Sequence, residues 1–126
     1  MEEQWTITED TLRAILDAFN RHDTEAVLGY FAEDCSMDLP RGTAPWGRRF
    51  VGKAQVREGI AGRFAGVPDV LYSDDRHVVC GDRGVSEWRL MGTTVAGARV
   101  DVRGCDLWEF ARGLVIRKDS YWKIVE

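Results

Sequence analysis

The absences in this chain narrow it first. No apolar run approaches the ~20 residues a membrane span requires, so nothing in it calls for a bilayer. The three cysteines, Cys35, Cys80 and Cys105, are odd in number and widely spaced. That pattern excludes a disulfide framework and points to reduced thiols in the cytoplasm. The only two histidines, His22 and His77, stand far apart, and no cysteine pair has metal-ligand spacing. Neither a dedicated metal site nor a cofactor is therefore expected. A formal net charge of −4 lacks the basic excess with which nucleic-acid binders displace counterions, and Arg48-Arg49 reads as a solvated loop pair. The acidic opening MEEQWTITED has the character of neither a signal nor a transit peptide. Repeats and low-complexity runs are missing too, which excludes a solenoid.

What remains is one domain over residues 1–126, long enough for one core and too short for two. Thr6 or Thr8 can cap a first helix, with Glu9 and Asp10 at its positive end and Leu12, Ile15, Leu16 and Phe19 as its apolar stripe. Asp23 or Thr24 caps a second, burying Val27, Leu28, Tyr30 and Phe31 and closing near Asp34. Residues 35–39 form a short strand stopped at Pro40. The loop RGTAPWGRR follows, then a third helix after Gly52 with Val56, Ile60 and Phe64 on one side. From residue 70 onward the chain reads as strands, roughly 70–80, 85–95, 98–111 and 114–125, separated by glycine-bearing turns. Helices first and antiparallel strands afterwards predict an α+β fold with helices laid on one face of the sheet.

Strand side chains alternate faces. In RVDVRGCDLWEF, residues 99–110, one face carries Val100, Val102, Gly104, Asp106, Trp108 and Phe110. The last strand offers Ile116, Lys118, Ser120, Trp122 and Ile124 on the corresponding face, with Arg117, Asp119, Tyr121 and Lys123 turned to solvent. Strand 85–91 offers Ser86, Trp88 and Leu90. Three tryptophans thus converge into an aromatic wall suited to a small apolar ligand, and Asp106 and Lys118 are its two charged exceptions. An isolated buried charge is neutralised, paired or functional. One reading is a salt bridge between neighbouring strands. The other makes Asp106 an acid or base, with burial favouring its protonated form and Lys118 its carboxylate.

The stretches AFNRHDTEAVLGYFAEDC, FVGKAQVREGI, GDRGVSEWRLMGT and GCDLWEFARGLVIRKDSYW, in that order from Thr8 to Trp122, resemble the nuclear transport factor 2-like superfamily and its SnoaL-like branch. The resemblance implies a cone-shaped, curved antiparallel or mixed sheet wrapped around three helices, with a central pocket, and a homodimer as the usual assembly. The family holds ketosteroid isomerases, polyketide cyclases, limonene epoxide hydrolases and scytalone dehydratase alongside members with no chemistry, so fold alone cannot assign function. In ketosteroid isomerases a protonated aspartate in this strand donates to the developing oxyanion, and Asp106 falls on that position. The isomerase base falls at Leu39, with Asp38 beside it on the opposite face, and the isomerase tyrosine falls near Ile15, so a strict steroid isomerase is not expected. For an epoxide hydrolase, Ser120 stands where an aspartate belongs and Arg89 faces outward. Scytalone dehydratase wants paired histidines, and only His77 lies on a strand, where a surface or structural role competes with catalysis.

The polyketide-cyclase pattern, one acid–base group in an apolar cavity, remains. The expected function is thus binding of a small hydrophobic molecule, with isomerase, cyclase or dehydratase chemistry by proton transfer. The alternative is a non-catalytic ligand-binding or dimerisation domain. Candidate catalytic residues are Asp106, Lys118, Asp38 (if a bulge turns it inward) and His77. Candidate ligand-binding residues are Trp88, Trp108, Ser120, Trp122 and Trp46, the last as a lid over the pocket mouth or, alternatively, packed on the third helix.

Overall fold

The structure is a computed structural model and describes residues 5–126. The first four residues of the predicted 1–126 span, and with them part of the acidic amino terminus, lie outside the described residues. Helix α1 (Glu9–Asn20) begins where Thr8 forms a capping box with Thr11, each side chain accepting the other's backbone N–H. It buries Leu12, Ile15, Leu16, Ala18 and Phe19. Helix α2 (Thr24–Leu28) starts as expected, with the Asp23 carboxylate accepting the Ala26 N–H at 3.0 Å.

This second helix is shorter than its hydrophobic spacing predicts. Tyr30 and Phe31 do not extend it, because the Tyr30 carbonyl accepts the Val115 N–H and Phe31 pairs with Val115. Strand β1 (Phe31–Asp38) therefore opens at Phe31 rather than at the predicted Cys35, and the acidic pair Glu33-Asp34 lies exposed on a strand rather than ending a helix. Strand β2 (Arg49–Val51), which alternation did not reveal, adds antiparallel to β1. Helix α3 (Lys53–Gly66) buries Val56, Gly59 and Ile60. A Cβ at Gly59 would stand 2.6 Å from Met37 Cε and 2.9 Å from the Phe50 ring, so this glycine lets the helix settle onto β1 and β2.

Strands β3 (Leu71–Cys80), β4 (Arg83–Thr93), β5 (Arg99–Ala111) and β6 (Leu114–Trp122) are antiparallel neighbours. The one parallel pairing joins β1 to β6, giving a curved, unclosed mixed sheet in the order β2-β1-β6-β5-β4-β3. The predicted α+β class and the face alternation of β4 and β5 hold. On β6 the phase breaks: a bulge opposite Glu109–Phe110 leaves Ile116 without a register partner, so Val115, fully buried, takes the core position. Ile124, expected inward, lies beyond the strand and is 89% exposed.

Candidate functional site

Register places His77, Ser86, Asp106 and Ser120 in one row across β3, β4, β5 and β6. All four are buried and face the helices. Lys118 joins from β6. Its ammonium lies 3.0 Å from Asp106 Oδ1 and 2.8 Å from Ser120 Oγ, and Ser120 Oγ donates to the same Oδ1 at 2.6 Å. The other carboxylate oxygen accepts the Trp88 indole N–H at 2.9 Å. A carboxylate only 2% exposed is costly unless its lone pairs are used, and three donors use them. The ammonium also lies over the rings of Phe19 and Trp108, at 5.2 and 5.7 Å from their centroids, which offsets part of its own desolvation.

A cavity of about 20 Å³ opens beside this cluster, walled by Phe19, Met37, Tyr72, Trp88, Lys118 and Ser120. Such a space holds about one water molecule and falls far below the ~300 Å³ of an ordinary ligand pocket. Asp106 is not on its wall; it stands behind Lys118 and Ser120, which are. At the mouth lies Trp122, with the Arg63 guanidinium 4.8 Å and the Arg41 guanidinium 5.8 Å from its ring centre. Tyr72, edge-on to Trp88 at 5.0 Å, forms part of this wall. Burial pushes its phenol well above the usual tyrosine range.

The remaining candidates separate from this cluster. His77 is buried in a second chain of hydrogen bonds. The Trp108 indole N–H donates to Ser86 Oγ at 3.0 Å, Ser86 Oγ is 2.8 Å from His77 Nδ1, and His77 Nε2 is 2.7 Å from Asp75. A bulge between Ser73 and Arg76, with Asp74 at φ +50°, brings Asp75 within reach of the imidazole. Trp108 therefore backs the site rather than lining the cavity.

Asp38 is not turned inward. It shares the outer face with its register partner Asp119, where Arg49 binds it through two contacts of 2.8 and 2.9 Å. Asp119, predicted to face water, is buried under Arg117 at 3.0 Å. Burial, and then the Asp38 charge beside it, hold the Asp119 carboxyl above the usual aspartate range against the pull of Arg117. Trp46 covers no pocket. The loop folds back on itself through the Ala44–Gly47 bridge, leaving the indole 49% exposed under the Arg49 guanidinium. Arg63 was missed, although it follows Val56 and Ile60 at helical spacing and so falls on the buried side of α3. Among the described residues no group of three or more His, Cys, Asp or Glu side chains is placed to hold a metal ion. Nor is any helix among them long and apolar enough to cross a membrane.

A curved mixed sheet folded over three helices, with a polar cluster on its inner face, defines a nuclear transport factor 2-like protein. Within that class the chain belongs to the SnoaL-like domain family, which matches residues 12–118. Solved structures agree on the fold. A proposed polyketide cyclase from Pseudomonas putida superposes with a TM-score of 0.83 at 20% identity, over 94% of each chain. A nuclear transport factor 2-like protein of unknown function from Burkholderia pseudomallei gives 0.81 at 22%, over 93% of this chain and 92% of that one. TerC, crystallised with polyporic acid, gives 0.76 at 20%, over 90% and 89%. No curated protein matches the sequence.

Proposed function

We propose that the chain is a cofactor-independent enzyme that moves protons on a small, largely apolar organic molecule, as an isomerase, cyclase or dehydratase does. The observation that carries this reading is the buried ammonium–carboxylate–hydroxyl cluster set into an otherwise apolar inner face. Lys118 and Ser120 reach the cavity. There the ammonium stabilises the oxyanion that develops when a carbonyl compound enolises. Asp106 fixes both groups and accepts or returns the proton through Ser120. The reading leaves Asp38 and Trp46 without a role at this site and gives His77 the task of fixing Ser86 and Trp108 behind it. Neighbours of the same fold named for polyketide cyclisation, and one crystallised with polyporic acid, support a small organic ligand.

Deuterium uptake at the α-carbon of 2-tetralone, followed by proton NMR, tests it. Wild type should exceed the buffer rate by ~10²-fold or more, and Lys118→Met should lose nearly all of that gain. Wild-type exchange at the buffer rate would give the lead to a second reading, a non-catalytic binding or dimerisation domain. The small cavity and the absence, among the described residues, of any buried side-chain polar atom without a hydrogen-bond partner favour that second reading.

The proposal includes a homodimer through the outer sheet face. Val78, 63% exposed, and Leu107, 38% exposed, share an apolar groove there, the kind of exposed patch that marks an association surface. In sedimentation equilibrium at micromolar concentration, wild type should run as two copies and Leu107→Arg as one. A monomeric wild type would reject the dimer.

A further inference from the structure

Resting on the pocket reading above, we infer that the molecule this site takes is a flat apolar acid, whose carboxylate is held at the mouth by Arg63 and Arg48. Among the described residues, seven of the fourteen arginines pair with a carboxylate. Arg41, Arg48 and Arg63 are not among them. Their guanidinium groups instead lie on aromatic rings: Arg41 and Arg63 on Trp122, and Arg48 on Phe50 at 4.7 Å. Four other arginines without an ion-paired carboxylate, Arg21, Arg76, Arg99 and Arg112, are exposed and do not line the cavity or its groove.

Ring stacking uses the flat face of a guanidinium and leaves its N–H edge free. That edge matches a carboxylate in a two-point contact. Arg48 and Arg63 both border a groove of about 310 Å³ that runs between α3 and the loop before β2. The groove shares Leu39, Gly59 and Arg63 with the cavity beside Lys118. Its volume is at the lower end of that of small-molecule sites. Among the described residues, Glu58 is the one carboxylate on its wall; it is exposed and forms no ion pair with any of them. Lys118 is neutralised by Asp106, so the unbalanced positive charge sits at the rim, on a chain whose net charge is −4. An acid bound there anchors its charge outside while its ring faces the cavity, where Trp122 must shift to admit it.

The test compares 2-naphthoate with its uncharged isostere 2-naphthamide by calorimetry, and follows the Trp88 and Trp122 indole N–H signals by NMR. The expected result is naphthoate binding at least ten times tighter than naphthamide, both moving the Trp88 signal. Arg63→Met should abolish the difference without weakening naphthamide, Arg63→Lys should restore part of it, and Arg48→Met, at an exposed position, should reduce it severalfold. Equal affinities in wild type, or a preference that survives both methionine variants, would overturn the inference and leave the pocket reading standing. If neither compound moves the Trp88 signal, both fall.

Discussion

Lys118→Met should lower the stability of the fold by about 3–5 kcal/mol, the usual result of removing one partner from a buried ion pair. Methionine keeps most of the aliphatic stem, so little packing is lost beyond the ammonium's own place over the Phe19 and Trp108 rings. What is lost is the compensation of Asp106, a carboxylate with no exposed face on which water could replace the ammonium. The double variant Lys118→Met/Asp106→Leu should regain at least half of the loss, because apolar groups of similar volume substitute well for a buried pair. Urea denaturation of wild type, both single variants and the double variant gives the coupling directly. If Lys118→Met costs under ~1 kcal/mol, the pair behaves like a surface contact, and the cluster loses its claim to be a constrained acid–base site.

The second large effect is expected at Gly104. A Cβ there would collide with the Tyr121 carbonyl oxygen and stand 2.6 and 2.7 Å from Trp88 Cζ3 and Cη2. Alanine therefore has to push both the β6 backbone and the Trp88 indole aside. Overpacking of this kind costs about 1–3 kcal/mol. The indole is also the donor to Asp106 Oδ2, so Gly104→Ala should move the Trp88 indole N–H resonance as well as the melting temperature. Gly62→Ala is the control. Nothing lies within 4 Å of its new methyl group, and a helix gains up to ~1 kcal/mol from that exchange. A Gly104→Ala protein with wild-type stability and an unmoved indole signal would mean that Trp88 is not pinned against the strand.

Much of this site was legible in the alternation of β4 and β5. A period of two needs no knowledge of neighbours, so Ser86, Trp88, Asp106 and Trp108 could be assigned to the inner face from the chain alone. The same rule failed at Ile116, where a bulge shifts the phase, and past Trp122, where the strand ends. It also could not find the pairing of β1 with β6, because parallel partners far apart in sequence leave no local mark. That pairing is what draws Phe31 out of the second helix. The burial of Asp38 was hidden for the same reason, since Arg49 of β2 and Arg117 of β6 cover it; Asp119, under Arg117 of its own strand, is buried beside its β1 register partner Asp38. Cavity size is a property of packing in three dimensions, and no pattern of residue types reports that Phe19, Met37 and Tyr72 fill the space to about 20 Å³. Arg63 is legible in the sequence as well: its spacing from Val56 and Ile60 on α3 puts it on the side that meets the sheet.

The parallel joint between β1 and β6 ties residue 31 to residue 115, so the chain must close a loop of most of its own length before the sheet is continuous. Closures of that span come late, since the entropy they cost is recovered only when the far contacts form. Lys118 and Ser120 ride on the strand that makes the closure, and Asp106 waits on its neighbour. During synthesis β6, Leu114–Trp122, must leave the ribosome before β1 can find it, and until then both β1 and β5 present open edges. The chemistry-bearing cluster is thus also the keystone of assembly: the step that completes the sheet is the one that brings the ammonium to its carboxylate.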